Sequence, residues 1–498
     1  MFEGPLYTAS LSLVGTLAVY YCAAIIWNLY FHPLRHFPGP WLAAATWWYT
    51  TWFEVFLNGG MVDHLQTLHK RYGPVVRIAP NELHFNGPRF YADVYVNGSK
   101  FRKDPKLYTT FHEDESSFCF IDPQDAKSRR EILNPLFSRR AILQMERYLQ
   151  ATIDKFLDKL QTSRKPVDLH RAYRCTTLEI ILSYCFAGDY DILGAADFAH
   201  PLIIAVENVM PLALVFKHFP FAYDALLWLD SQSKRFRQDS FGPGELTESL
   251  SQQIDELLVH PELLQQQGHD TIYHHLLTPN PSKGQPTVPS KKSLLEEAMN
   301  LVAAGSDTVG NTSTVGTYYV LSNPDVFAKL ISELKQHWPD PTIPLKYEAL
   351  EKLPYLTAVI KESLRMSHGI VTPLPRIVAP ADATIGGVVV PAGTIVGVGA
   401  TFVHYNPELF PEPHNIILQR TAKLPRNQVE WFFFPAEMCV LNMIGSLAWC
   451  EMYLLFANVF RKLNLELYNT RPEDLKFQCH LTPTFRKHVE VTVKQAAP

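Results

Sequence analysis

The sequence has few cysteines, and their arrangement would neither bind zinc nor build a disulfide framework. Seven cysteines are scattered over 498 residues. No Cys-x-x-Cys pair occurs, and no group of histidines and cysteines has the spacing of a zinc site. An odd number of widely separated cysteines argues against paired disulfides. We therefore expect a reduced protein body that faces the cytosol.

A strong excess of charge of one sign is also missing. Charged residues make up 19% of the chain and the formal net charge is -4. No basic stripe with interleaved aromatic residues is present, so we expect no nucleic-acid partner. Hydrophobic residues account for 47%, which is enough for a sizeable core.

Linkers and repeats are absent as well. No Gly/Ser-rich or low-complexity stretch divides the chain, so one large body is expected. Apolar periodicity predicts helices at 138–160, 169–186, 293–321 and 445–463, and β-branched stretches predict strands within 72–91, 377–399 and 489–493. A Pro/Gly-rich loop is expected at 241–248. The fold class is therefore mostly α with small β sheets.

The first thirty residues lack charge almost completely. No charged side chain lies between Glu3 and His32, and this apolar stretch is long enough to cross a bilayer. Basic residues begin at Arg35, which places the body on the cytosolic side by the positive-inside rule. A buried core helix is the alternative. Three prolines in FHPLRHFPGP follow and predict a stiff hinge.

What the sequence does contain is an unusual polar group in a predicted helix, NLVAAGSDTVGNTST. Gly305 costs about 1 kcal/mol relative to alanine in a helix, and Asp307 in apolar surroundings must be paired or solvated. Thr308 can donate a hydrogen bond to the preceding turn, where Ala304 lies on the same face, and loosen the helix. We expect a locally opened helix that forms the wall of a cavity where oxygen is reduced. A polar patch on a packing helix is the alternative.

A second pattern is Glu362-x-x-Arg365, followed by FPEP at 410–413 and by Arg420. Residues three apart share a helix face and can pair. Arg420 could supply a second guanidinium to the same carboxylate, since the planar guanidinium matches carboxylate geometry. A solvated surface pair is the alternative for this pattern taken alone.

In this order the motifs resemble a cytochrome P-450. They are AGSDT at 304–308, ESLR at 362–365, PLPR at 373–376, FPEP at 410–413 and a cysteine about twenty residues after Arg420. The sequences NPLFSRRAI (134–142) and LAWCEMYL (447–454) resemble membrane-anchored members from filamentous fungi. The resemblance covers nearly the whole chain. It implies an anchor at 1–32, a proline-rich hinge at 33–42 and a haem-thiolate monooxygenase domain at 43–498, with the mostly helical cytochrome P-450 fold.

The resemblance also implies roles for individual residues. Asp307 and Thr308 would deliver protons to iron-bound dioxygen, and Glu362, Arg365 and Arg420 would form a buried ion-pair knot beside the haem. The implied cofactor is haem b, held by a cysteine thiolate. Its expected binding residues are Arg130 and Arg376 at the propionates, Phe432 in the haem loop and Cys439 as the iron ligand. A propionate donor that the family often has is missing at Ala126.

The loop around Cys439 departs from the family pattern. Pro435 and Leu441 stand where glycines usually let the backbone turn tightly and bring amide groups to the sulfur. Glu437 replaces a cation that normally meets a propionate, which makes a like-charge contact. Leu447 also begins the next motif eight residues after Cys439 rather than five. The other candidate, Cys450, lies inside a predicted helix and is expected to be structural.

Three interpretations follow for the function. In the first, the protein is a monooxygenase that inserts one atom of O2 into a lipophilic small molecule, such as a terpenoid or polyketide. Its electrons would come from an NADPH-dependent reductase at the endoplasmic reticulum membrane. Residues 210–229 would form the roof near the membrane where substrates enter, with ordinary helix packing as the alternative, and residues 370–374 would line the pocket. In the second, the fold binds haem weakly or not at all and binds a ligand or a partner without oxidising it. In the third, residues around 435–444 reflect an error in the gene model.

Overall fold

The computed structural model describes residues 3–96, 98–188, 190–233, 243–418 and 445–494. Its helices are numbered here in chain order over that part of the chain. They are α1 Glu3–Tyr30, α2 Trp41–Ala45, α3 Trp48–Thr51, α4 Met61–Tyr72, α5 Pro88–Val94, α6 Pro105–Tyr108, α7 Pro123–Leu133, α8 Arg139–Thr162, α9 Leu169–Phe186, α10 Pro201–Val209, α11 Ala213–His218, α12 Phe221–Ser233, α13 Pro243–Val259, α14 Ile272–Leu276, α15 Lys291–Leu321, α16 Pro324–His337, α17 Tyr347–Leu350, α18 Pro354–Ser367, α19 Ala400–His404 and α20 Gly445–Lys462.

The strands form four small sheets. They are β1 Val75–Ala79, β2 Glu82–Phe85, β3 Arg102–Lys103, β4 Val167–Asp168, β5 Arg376–Ile377, β6 Ala383–Ile385, β7 Val388–Val390, β8 Ile395–Val398, β9 Asn464–Tyr468, β10 Phe477–His480, β11 Thr482–Phe485 and β12 Glu490–Lys494. The largest sheet has the order β1-β2-β8-β5-β3, in which only β2 and β8 run parallel. β4, β12 and β9 form a second sheet, and β6-β7 and β10-β11 are hairpins.

Three glycines of α15 let neighbouring helices approach closely, so this helix lies at the centre of the largest core. A Cβ at Gly305 would come within 2.7 Å of Ile181, and one at Gly310 within 2.9 Å of Arg174, both on α9. A Cβ at Gly316 would meet Ser363 of α18 at 2.2 Å and Phe456 of α20 at 2.4 Å. The helix cost of these glycines is thus offset by close packing.

The predicted elements agree with the structure except at one loop. The strand pair within 72–91, the helices at 169–186 and 293–321 and the final helix are all present. The loop expected at 241–248 is wrong over its larger part, because α13 begins at Pro243. Proline is well suited to the first turn of a helix, and the residues that follow it have ordinary helix propensity.

The N-terminal helix carries the membrane signal. Within α1, Ser12–Tyr30 is long and apolar enough to span a bilayer, and none of it is buried in the protein. Burial in the core, the alternative for this stretch, is thus not observed. A second apolar stretch, Ala196–His218, passes the same length and composition test, but a third of it is buried, and it is divided between α10, α11 and short 3-10 turns. The first stretch could serve as a membrane anchor.

The proline-rich segment after α1 lies directly on the body. The backbone N–H of Arg77 donates to Pro38 O at 2.8 Å, and a Cβ at Gly39 would lie 2.3 Å from Arg77 O. Arg77 Nη2 also donates to Asn28 O at 3.0 Å. These contacts fix the direction in which α1 leaves the body.

Candidate functional site

The long helix α15 has a short accessible strip on an otherwise buried surface. Ala303 is exposed and Ala304 and Thr308 are half-buried, whereas 305–307 are buried. Thr308 Oγ1 donates to Ala304 O at 3.0 Å, which is the back-bond expected from the sequence. The helix nevertheless runs unbroken from Lys291 to Leu321, so the expected local opening does not occur: this hydrogen bond leaves the helical turn intact.

Asp307 forms a buried ion pair with Arg174 of α9, through Oδ1 and Nη2. Both side chains are about nine-tenths buried. Within the described part of the chain, Asp307 Oδ2 and Arg174 Nε and Nη1 are buried without a hydrogen-bond partner. Buried polar atoms are normally satisfied by protein or ordered water, so these three atoms mark a place where water is needed.

A cavity of about 200 Å³ adjoins this ion pair. It holds room for several water molecules, each of which occupies roughly 30 Å³. Its polar lining comes from α9, α10, α15 and the segment that leads into β12: His170, Arg174, Glu207, Ser306, Asp307 and His488. The cavity connects the buried carboxylate of Asp307 with groups that are partly open to solvent.

The Glu-x-x-Arg pair of α18 is completely buried. Arg365 donates to Glu362 through Nε at 3.0 Å and Nη2 at 2.9 Å. Its remaining donors reach the backbone oxygens of His404, Pro413 and Asn415. The surface-pair alternative is therefore wrong. The guanidinium ties α18 to α19 and to the segment after it, while the third expected member, Arg420, lies outside the described residues.

Arg376 is buried at the start of β5. Its Nη1 donates to Tyr108 Oη at 2.5 Å, and the guanidinium lies over the rings of Tyr95 and Tyr108. It is cross-strand neighbour to Lys103 of β3, which donates to the carbonyls of 117 and 118. Two cations thus lie side by side at the edge of the largest sheet.

The two arginines of α7 differ in their surroundings. Arg130, the expected propionate donor, is half-buried. Arg129 is buried and donates to Glu297 Oε2 at 3.0 Å and to Ser293 Oγ at 2.8 Å. Glu297 also accepts from Ser117 N at 2.8 Å and Ser117 Oγ at 2.6 Å. This fully buried carboxylate therefore joins α7, α15 and the loop before α7.

The segment expected to roof the pocket, 210–229, is fastened by an ionic contact. Glu54 accepts from Lys217 Nζ at 2.7 Å and lies 2.6 Å from His218 Nε2. Burial by itself would raise the pKa of Glu54, but Lys217 and His218 lower it to about 2. Burial raises the pKa of nearby Glu82 to about 7, with Lys217 opposing the shift. The roof segment is thus tied to the turn that follows α3.

Both parts of the expected iron site lie outside the described residues. Phe432 and Cys439, together with the unusual positions Pro435, Glu437 and Leu441, fall within 419–444. Cys450, in contrast, is completely buried in α20, and burial raises the pKa of its thiol. The expectation that Cys450 lies buried inside a helix is confirmed, and its structural role stays a prediction.

Sequence reasoning missed Arg174, Arg129 and Glu297. Each makes its contact with a residue more than 130 positions away, so no local pattern identifies the pairing. One signal was available for the first of them: Gly305 and Gly310 flank Asp307, and glycines inside a helix allow another backbone to approach closely. It does not tell which helix.

Comparison with known proteins gives the family. The family model for cytochrome P-450 matches residues 38–428. Over 485 residues the chain is 33% identical to cytochrome P-450 monooxygenase macH of Penicillium terrestre, covering 95% of this chain and 94% of that protein. It is 30% identical over 506 residues to cytochrome P-450 monooxygenase BOT1 of Botryotinia fuckeliana, covering 99% and 97%. It is also 31% identical to tryptophan 6-hydroxylase fscE of Fusarium equiseti, covering 89% and 88%. The chain therefore belongs to the cytochrome P-450 family of haem-thiolate monooxygenases.

Proposed function

We propose that this protein inserts one atom of O2 into a lipophilic small molecule with electrons from an NADPH-dependent reductase. The overall reaction is RH + O2 + NADPH + H⁺ → ROH + H2O + NADP⁺. The observation that carries the proposal is the buried Arg174–Asp307 pair next to Thr308. The ion pair lines a cavity, and Thr308 beside it belongs to the accessible strip of α15.

The described residues fit haem b. Ala303 and Ala304 have small side chains and are accessible within the mostly buried middle of the helix, which leaves room for a flat macrocycle. Arg376 and Arg130 are suited to its two propionates, since a guanidinium matches carboxylate geometry. When bound, haem b with its cysteine thiolate supplies the activation of dioxygen. We assign Cys439 as the iron ligand, with Phe432 beside it in the haem loop.

The side chains of α15 would handle the protons. Asp307 takes up a proton from cavity water at Oδ2, while Arg174 holds Oδ1 and keeps the carboxylate in place. Thr308 Oγ1 donates its proton to Ala304 O. A rotation about χ1 would turn the hydroxyl away from the helix and toward the open side of the strip. A positioned acid of this kind contributes typically 10²–10⁴-fold to a rate. Glu362 and Arg365, together with Arg420, would form the ion-pair knot that supports the haem.

We further propose that residues 1–32 anchor the protein in the endoplasmic reticulum membrane, that 33–42 are the hinge and that 43–498 face the cytosol. The roof segment carries exposed apolar side chains, and the contact between Glu54 and Lys217 ties it to the turn after α3. An exposed apolar surface of this kind supports the proposed membrane placement. A lipophilic substrate would then enter from the bilayer. The name of the fungal relative fscE suggests an aromatic substrate as one class to test.

The carbon monoxide difference spectrum of the reduced, purified chain tests the proposal. We expect the Soret band of a thiolate-ligated haem, its loss in Cys439→Ala and its retention in Cys450→Ala, a buried cysteine eleven residues later. A chain that binds no haem would contradict the proposal.

A second candidate function rests on the haem loop. Pro435, Glu437 and Leu441 depart from the family pattern, and the family match ends at residue 428, before all of them. A chain that binds haem weakly would act as a ligand-binding or partner protein. Sequencing the transcript across 430–446 separates this candidate from a gene-model error, because only the error would change the encoded residues.

A further inference from the structure

Two histidines and a carboxylate line the outer end of the cavity beside Asp307. His170 comes from the first turn of α9, Glu207 from α10 and His488 from the segment before β12. One ligand atom from each lies within 4.8 Å of the others. The haem chemistry proposed above uses none of these three residues.

His170 is a buried imidazole with an unused nitrogen. His170 is 4% exposed, and its Nδ1 is buried without a hydrogen-bond partner among the described residues. An imidazole nitrogen with a free lone pair is the atom through which histidine binds metal ions.

His488 has the arrangement that orients a metal-binding histidine. Its Nδ1 lies 2.6 Å from Asp168 Oδ2, so Nε2 is left with its lone pair. A carboxylate in this position fixes the ring and raises the basicity of the other nitrogen. The rings of His170 and His488 lie 4.2 Å apart, centroid to centroid, with 29° between their planes.

Glu207 supplies the negative charge. It accepts from Arg171 Nη2 at 2.9 Å and from Nε at 3.3 Å, and the two side chains are 18% and 31% exposed. A carboxylate offers about four lone-pair sites, so a divalent cation can bind Glu207 beside Arg171. Small side-chain rotations would bring the three ligands to the separations of a tetrahedral site.

We propose that His170, Glu207 and His488 bind a zinc-class transition-metal ion. Two imidazoles and one carboxylate are ligands that zinc prefers, whereas Mg²⁺ and Ca²⁺ prefer oxygen ligands only. The fourth position opens into the cavity and is available to water. The ion fastens α10 to α9 and to the end of the chain, so it stabilises the fold independently of haem.

Zinc binding to the full chain, measured by competition with a chromophoric chelator, tests the proposal. We expect one zinc ion per chain and binding at least about tenfold weaker in His170→Gln, His488→Gln and Glu207→Gln. His260→Gln is the matched control, because that side chain is 58% exposed and, among the residues that the structure describes, pairs with Glu262 alone. Mg²⁺ at the same concentration should not compete.

A fourth variant separates ligation from misfolding. Asp168 also caps α9 through its bond to His170 N, and asparagine caps equally well. Asp168→Asn should therefore keep the fold and weaken zinc binding about 10–100-fold. Zinc should also raise the Tm of the unaltered chain but not of His488→Gln. The proposal would be overturned if the variants bound zinc as tightly as the unaltered chain and showed the same Tm shift. It would also be overturned if the unaltered chain bound no stoichiometric zinc.

Discussion

Arg174 and Asp307 form an ion pair in the protein interior, between two helices, α9 and α15, that Gly305 and Gly310 allow into close contact. Removing one partner leaves a buried charge without compensation, which costs about 3–5 kcal/mol. We expect Arg174→Gln and Asp307→Asn each to lower the free energy of unfolding by about that amount, and the double variant to lose less than the sum. Urea unfolding of all four chains measures this coupling. Additive losses would show that the pair contributes no interaction energy.

The sequence predicted Asp307 but not its partner. An acid in an apolar helix must be paired, and this requirement follows from the residue type alone. The identity of the partner depends on how α9 and α15 are rotated against each other, which is set by side-chain packing along both helices. Glu362 and Arg365 are the opposite case. Both lie on one helix three residues apart, so the spacing predicted their contact directly.

Glu362 should be far more important for stability than a similar pair at the surface. Glu362→Gln leaves Arg365 buried with only neutral partners, and we expect a loss of about 3–5 kcal/mol. Arg139 and Glu351 provide the matched control, since they form a bidentate contact at 2.6 and 2.9 Å with Arg139 45% exposed. Glu351→Gln should cost at most about 1 kcal/mol. Chemical denaturation gives both values, and equal losses would contradict the expected effect of burial.

Gly316 should not tolerate a methyl group. Alanine normally favours a helix by about 1 kcal/mol over glycine, but a Cβ here would lie 2.2 Å from Ser363 Oγ and 2.4 Å from Phe456. We expect Gly316→Ala to be destabilising by about 1–3 kcal/mol. Adding Ser363→Ala to that chain removes the clash with Oγ and should recover part of the loss, whereas Cβ of residue 363 would still lie 2.7 Å from the new methyl group. A thermal melt that shows a more stable Gly316→Ala chain would contradict this packing.

The arrangement around α7 shows where a motif-based prediction reaches its limit. The sequence singled out Arg130, whereas the contact that joins α7 to α15 is made by its neighbour Arg129 with Glu297. Two adjacent arginines on a helix point about 100° apart, so only the position of the helix decides which one faces the core. The role of Arg130 at a propionate remains a prediction.

An aromatic patch formed by Trp48, Trp52, Phe56 and Phe221 should bind lipid without the anchor helix. All four side chains are more than half exposed, and amphipathic aromatic residues favour the membrane interface. A chain without the anchor, residues 1–32, should still cosediment with phospholipid vesicles. Replacing Trp48, Trp52 and Phe221 by serine should weaken that binding at least about tenfold, since burying a large apolar side chain contributes about 1.5–3 kcal/mol.

Ile343→Ser is the control for this experiment. Ile343 is 66% exposed but lies between α16 and α17, away from the four aromatic residues in the chain. Equal loss of vesicle binding in both chains would show that general surface hydrophobicity, and not the aromatic patch, holds the protein at the bilayer.

Glu451 should make the stability of the protein fall as the pH rises. It is buried in α20 next to Cys450, and burial raises the pKa of its carboxyl well above the ordinary value of 4.5. Below pH 4.5 the group is protonated in both states. Above it, the unfolded chain ionises while the folded chain keeps its proton, so this group lowers the free energy of unfolding by about 1.4 kcal/mol for each pH unit until the folded pKa is reached. Glu451→Gln removes the titration.

The two chains should therefore differ more in their free energies of unfolding at pH 8 than at pH 5, with the variant gaining as the pH rises. Urea denaturation at intervals across this range measures the difference. Glu466→Gln serves as the control, because Glu466 is 52% exposed and pairs with Lys494, so its replacement should not change the slope. A difference between Glu451→Gln and the unaltered chain that stays constant from pH 5 to 8 would show that the carboxyl ionises in the folded protein. Its charge would then have to be compensated inside the core.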